Sequence, residues 1–360
     1  MTTTYDHDKK AFLIKEDDKE LADVDFGFSD YNHEGNLLTV DEAAEYQYSL
    51  MYKYDIKEVD YRLTYVNIGK DGGDPKRVGW LIPLATLITT DEDILSAKHL
   101  NQYVFFAYCH LLENEKVLYQ ILEKGKELKD FLVELFPNAC LLILNKNNMP
   151  EGVTLKRLEL SLARNGYFMC QTGYNNPCIE KNDKLILTPA SEILKDKDTY
   201  EIDYIEEFLI KFAYNSNSFI RFLYLYQIIE VLMDKEIIQI LEECLDTLKN
   251  NKPNFRKYDS ILKDSAELKR LKQIISNANL NSNVSDSLDT KCKVFLHTAP
   301  GQNIEQPATI YHVRNHIVHR FRKAAGEEQA VKEICDYLEL YLYDLLICYK
   351  LPKKESDLNT

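Results

Sequence analysis

Nine consecutive residues concentrate the reactive side chains of this sequence: His312, Val313, Arg314, Asn315, His316, Ile317, Val318, His319 and Arg320. The chain has 360 residues and only 8 histidines, so three within this run is a marked concentration. Imidazole, with an ordinary pKa of about 6.5, gives and takes protons near neutral pH. Guanidinium is a permanent cation whose forked donors fit a phosphate or a carboxylate. Together these types suit proton transfer beside an anionic group. Wound as a helix at about 100° per residue, Ile310, Val313, Ile317, Phe321 and Ala324 form one apolar stripe. His312, Asn315, His319 and Lys323 gather on the opposite face. Arg314 departs from the pattern. It falls on the edge of the apolar stripe, between Phe321 and Val318. There it must reach water or meet a carboxylate, since an unpaired buried charge costs on the order of several kcal/mol.

A partner is offered upstream. The stretch from Phe219 to Ile240 is apolar nearly all round, so a central, buried helix is expected. Glu230 projects onto the same face as Phe219, Leu223 and Tyr226, a carboxylate on an apolar stripe. The economical arrangement brings Glu230 and Arg314 together. The other is that Glu230 lies near a helix end and reaches solvent.

The segment from Ile310 to His319 resembles the signature of HEPN domains, an Arg with a polar follower and then a His after four to six intervening positions. Here these are Arg314, Asn315 and His319. The run from Phe222 to Glu230 is similar to the aromatic-rich helix, ending in an acidic residue, that precedes the motif in such domains. The resemblance spans about residues 200–350. It implies a metal-independent endoribonuclease acting as a homodimer without a cofactor, of the kind found among bacterial and archaeal toxins and antiviral effectors. Arg314, Asn315 and His319 would be its catalytic residues, with Glu230, His312 and His316 in support.

The residue types fit that chemistry on their own. Cleavage of RNA by its 2′-OH needs a base for that proton, a donor for the leaving 5′-oxygen and positive charge at the crowded phosphate. His319 suits the proton transfer and Arg314 the phosphate. Asn315, four residues before His319, can orient the imidazole or bond substrate. One helix supplies one such His, and a two-fold pair would supply two. Arg320, Arg322 and Lys323 make the surroundings locally basic and are candidates for contacts to the RNA backbone. A second reading belongs to another class: a non-catalytic helical interaction module, binding a protein or nucleotide, in which Arg314 is a structural ion-pair partner and the histidines line an interface. His312 and His316 have a spacing able to hold a metal, but no acidic third ligand lies near them in sequence, and no metal site is expected. There is no phosphate-binding loop and no nucleophile elbow.

The whole-chain charge of −14 opposes nucleic-acid binding at first sight. Its distribution softens this: residues 1–194 carry 21 Lys+Arg against 32 Asp+Glu, and the remainder 23 against 26. Eight scattered cysteines, without CxxC pairs or zinc spacing, read as reduced thiols of a cytoplasmic protein. No apolar run approaches a membrane span, and the N-terminus lacks the pattern of a signal peptide.

The elements that would hold the site divide in two. Residues 1–190 read as a mixed α+β domain, expected to be a sensor or partner-binding module that takes an activator or antitoxin. Its irregular start covers residues 1–35. A helix is expected over Asp41–Tyr54, and strands over Tyr61–Val66, Val78–Ile88 and Ala139–Leu144. Thr90–Asp93 reads as a capping box opening a helix to Leu122, with a second helical piece ending near Phe136. Leu158–Leu162 alternates strictly and reads as a strand, with Asn165-Gly166 as its hairpin turn. Residues 195–350 read as an all-α domain with helices over Tyr204–Tyr214, Phe219–Ile240, Phe255–Ile275, Pro307 to Gly326 and Glu327–Tyr349. A polar loop is expected at Asn277–Asp289, and residues 351–360 read as a tail. The sum is an α+β domain followed by a HEPN-like helical one, mainly α overall.

Overall fold

The protein is described from a computed structural model. Described are residues 2–25, 45–53, 62–69, 74–87, 98–169, 176–179, 184–190, 205–209, 216–250, 267–278, 282–297 and 307–348, with brief interruptions inside some of these ranges. The chain divides into two compact units: Met1–Asn175 with Lys181–Thr188, and Asn176–Glu180 with Pro189–Thr360. The first is α/β and the second helical, and helix predominates among the described residues.

The first unit opens with an antiparallel sheet of β1 (Thr2–Asp6), β2 (Ala11–Glu16) and β3 (Lys19–Asp25), where an irregular start was expected. The polar turn residues hid the pairing. Asp6 accepts from the backbone N–H of Asp8 and Lys9 at 2.9 and 3.0 Å, an Asx turn that fixes the first hairpin. The remaining strands are β4 (Tyr46–Lys53), β5 (Thr64–Ile68), β6 (Lys76–Pro83), β7 (Ala139–Asn145), β8 (Tyr167–Phe168) and β9 (Lys184–Leu187). They form one sheet in the order β8-β4-β7-β6-β5-β9. Strand β7 sits inside it, with Leu141 and Ile143 buried on one face and Leu142 and Leu144 on the other, which is why its sequence is an unbroken apolar run. Gly79 of β6 is obligatory, because a Cβ there would lie 1.9 Å from the Ile143 carbonyl oxygen.

Four helices follow in order: α1 (Leu84–Leu87), α2 (Lys98–Leu111), α3 (Glu115–Lys124) and α4 (Leu128–Leu135). One core cluster joins Phe12 and Ile14 of β2 to Tyr108 of α2, Leu118 of α3, Leu132 of α4 and Leu50, Ile82 and Ile143 of the large sheet. The capping box expected at Thr90–Asp93 lies outside the described residues; the single helix expected to Leu122 is the pair α2 and α3.

Two expectations in this unit are overturned. The segment Tyr46–Lys53 is a strand, not part of a helix. Its aromatic residues Tyr46, Tyr48 and Tyr52 recur with period two and pack on one core, as a pleated surface favours. Conversely, Leu155–Arg164 is helix α5, not a strand. Leu155, Leu158 and Leu162, at three- and four-residue steps, fill the other face of the sheet with Val66, Val78 and Leu185. Asn165-Gly166 therefore ends a helix: Gly166, at φ 82°, donates its N–H to Ala163 O at 2.9 Å.

The second unit contains α6 (Ser218–Asn250), α7 (Glu267–Ala278), α8 (Ser282–Phe295), α9 (Ala308–His319), α10 (Phe321–Ala324) and α11 (Glu328–Cys348). Asn217 caps α6, its Oδ1 accepting from the N–H of Phe219 and Ile220. The helix is not buried all round, since Ile220, Ile238 and Leu245 are exposed. The polar loop expected at Asn277–Asp289 is corrected by α8, whose Leu288, Cys292 and Phe295 form a buried stripe. Its Asn and Ser residues hid that stripe. The expected helices over Tyr204–Tyr214 and the first part of Phe255–Ile275 fall largely outside the described residues.

Candidate functional site

Helix α9 begins after Pro307, whose ring suits a helix start, and buries Ile310, Val313 and Ile317. It stops at Arg320, where φ −131° and ψ 31° leave the helical region, and the chain resumes as the single turn α10. The expected continuous helix to Gly326 is thus broken. Phe321 leaves the apolar stripe as a result: it is 52% exposed and packs edge-to-face with the Phe219 ring, at 5.3 Å between centroids. Ala324 remains buried.

Arg314 does meet Glu230. Its Nη2 lies 3.2 Å from Glu230 Oε1, with side chains 26% and 29% exposed respectively. Three further contacts fix the pair. Arg314 Nη1 donates to Asn315 Oδ1 at 3.2 Å, the guanidinium carbon lies 5.8 Å from the centre of the Tyr226 ring, and Gln227 Nε2 donates to Glu230 Oε2. The Tyr226 hydroxyl in turn donates to Glu267 Oε1 of α7 at 3.1 Å. Burial first, and then the Glu267 carboxylate, push the Tyr226 hydroxyl well above its ordinary range, so it stays a protonated donor. Helices α6, α7 and α9 are therefore joined in one network, with α7 reaching it through Tyr226. The sequence marked the ends of this network, Glu230 and Arg314; Gln227 and Glu267 carry no pattern of their own that would have revealed them.

The other candidates are dispersed. His319 is exposed at the last position of α9, and among the described residues no hydrogen bond joins it to Asn315, whose oxygen is taken by Arg314. Five residues separate Arg314 from His319, about 7.5 Å along the axis and about 140° around it, so one helix does not aim both at a single point. The His316 ring packs edge-on against Phe295 at 5.4 Å and is half-buried; His312 is exposed beside Tyr311. Arg320 and Arg322 are exposed. The side chain of Lys323 lies outside the described residues. Among those residues no group of three or more His, Cys, Asp or Glu could hold a metal ion, and no described helix is long and apolar enough to cross a membrane.

Two polar clusters escaped the sequence reading. Arg221 of α6, buried, pairs with Asp336 at 2.6 Å and Glu339 at 2.7 Å on the buried face of α11, and Asn176 Nδ2 donates to Glu339 Oε2 and to the Asp336 carbonyl. Burial raises the Glu339 pKa against the opposing pull of Arg221 and Asn176, and the neighbouring Asp336 carboxylate adds a smaller push in the same direction. The second is His297, in the turn after α8, whose Nε2 lies 3.0 Å from Glu327 Oε1 just before α11. A histidine in a turn and a glutamate thirty residues on carry no sequence signal of pairing. Set against family models, curated proteins and solved structures, the chain matches none of them.

Proposed function

We propose that the protein is a metal-independent endoribonuclease of HEPN type, a toxin or antiviral effector acting as a homodimer in the cytoplasm, with the first unit as the module that senses an activator or antitoxin. The observation that carries this reading is the pair Arg314–Glu230, formed at the edge of an apolar helix five residues before an exposed His319. A guanidinium so held is pre-oriented to place positive charge at a phosphate. His319 transfers a proton, and Arg320, Arg322 and Lys323 contact the RNA backbone. Two copies about a two-fold axis bring two such helices to one groove. Cleavage by the 2′-OH leaves a 2′,3′-cyclic phosphate and a 5′-OH.

The test is RNA cleavage with product mapping, with and without EDTA. The expected outcome is unchanged cutting in EDTA, a loss of about 10²–10⁴-fold in His319→Ala and a loss of about 10²–10³-fold in Arg314→Ala. Cutting that depends on Mg²⁺, or wild-type rates in His319→Ala, defeats the mechanism. One observation favours the second reading, a helical interaction module: both faces of the Arg314 fork are occupied, by Glu230 and by Asn315. Failure to cut RNA together with loss of stability in Arg314→Ala supports that module instead.

A further inference from the structure

Cleavage by a 2′-OH moves two protons, and α9 presents one exposed histidine at its end. We propose that His297 is the second proton-transfer residue, held by Glu327 as its positioning residue and supplied by the same chain; the inference rests on the endoribonuclease reading.

Two registers within the helical unit bring the parts together. Helices α8 and α11 run antiparallel, with Lys291–Glu333 at 2.7 Å as one rung and His297–Glu327 at 3.0 Å as another, six residues on in one chain direction and six back in the other. Helices α8 and α9 run parallel: Asp289 accepts from the Thr309 hydroxyl at 2.8 Å, and Phe295 meets His316. The offsets are 20 and 21 residues. Carried forward, they set the end of α8 beside the last turn of α9, which closes at His319. The C-terminal ends of α8 and α9 and the N-terminal end of α11 thus lie at one end of the unit. That end bears His297, Glu327, His319 and Arg320.

The local geometry suits a base. His297 is 73% exposed, so substrate can reach it. Its φ of 49° is left-handed, a conformation that costs a non-glycine residue on the order of 1 kcal/mol and that turns the chain out of α8. The Glu327 carboxylate accepts from Nε2–H, which selects the neutral tautomer with a free lone pair on Nδ1. In the reaction Nδ1 takes the 2′-OH proton as the 2′-oxygen forms its bond to phosphorus. The bond from phosphorus to the 5′-oxygen breaks, and that oxygen takes a proton from the His319 imidazolium. Glu327 stabilises the imidazolium that forms on His297, and exchange with water resets both rings. The dimer then shapes the groove and is not needed to complete the acid–base pair.

The test uses the full chain and a short RNA carrying one scissile linkage, as the natural phosphodiester and as the 5′-S-phosphorothiolate, whose sulfur leaves without a proton donor. His297→Ala is expected to lower cleavage by about 10²–10⁴-fold and to abolish the rising limb of kcat/KM against pH. Glu327→Gln moves that limb with a smaller loss. The sulfur substrate restores His319→Ala and not His297→Ala. Thermal melts are expected to match wild type, His297 being exposed. His297→Ala cutting at the wild-type rate, or keeping the rising limb, overturns this inference and leaves the ribonuclease reading standing, as does rescue of His297→Ala by the sulfur substrate. A wild-type chain that cuts neither substrate removes both.

Discussion

At the level of single residues, the informative feature is a cation where a helix should be apolar. Arg314 was visible because the stripe of Ile310, Val313 and Ile317 set an expectation that it broke, and Glu230 because it broke another. Their contact at 3.2 Å is about a quarter open to water, so solvent still screens it and its direct contribution to stability is about 1 kcal/mol or less. Its worth lies in aiming the guanidinium. Glu230→Gln should therefore leave the urea midpoint nearly unchanged while lowering RNA cleavage through kcat. A large loss of stability with kcat intact would make the pair structural. Asn315 was expected to orient the imidazole or bond substrate, and its oxygen accepts from Arg314; on a helix, neighbouring residues point about 100° apart, and only the actual rotamers decide which partner is met.

Among the elements, the errors have one physical origin. Leu155–Arg164 and Tyr46–Lys53 carry apolar residues that fit more than one period, and the surface against which they pack settles which period is used. Helix α8 was hidden for the opposite reason, since Asn and Ser favour turns locally while Leu288, Cys292 and Phe295 bury a stripe. Helix α11 shows how far burial can override polarity: Asp336 and Glu339 face its interior. Because burial raises the Glu339 pKa in the folded chain, the folded state binds more protons than the unfolded state at pH values above the ordinary 4.5. Stability from this group is present below that value and is lost as pH rises from 4.5 through the raised value. Glu339→Gln should flatten that decline in thermal midpoints measured across the window. An unchanged slope would mean Glu339 is already ionised beside Arg221.

At the scale of the molecule, the two units are not simply successive. Residues Asn176–Glu180 belong to the helical unit, while Lys181–Thr188 return to the first one as β9. Asn176 then closes the buried cluster around Arg221. Asn176→Ala removes a donor from a buried carboxylate and should cost about 1–3 kcal/mol. The single tryptophan, Trp80, lies in the first unit, so its fluorescence reports that unit alone. The expected outcome is a lower denaturation midpoint by circular dichroism with the Trp80 transition unmoved. Equal shifts in both signals would show one cooperative body.

From the sequence by itself came the broad division into a mixed first part and a helical second part, the long helix bearing Glu230, the α9 stripe with its misplaced arginine, and the amphipathic α11. All of these rest on local periodicity, which a single segment carries within itself. Tertiary structure alone decided the break at Arg320, the buried Arg221–Asp336–Glu339 group, the Tyr226–Glu267 bond and the approach of His297 to Glu327. Each depends on side chains brought together from distant parts of the chain or on how one helix end is packed, and no local pattern encodes a pairing whose two halves are far apart in sequence.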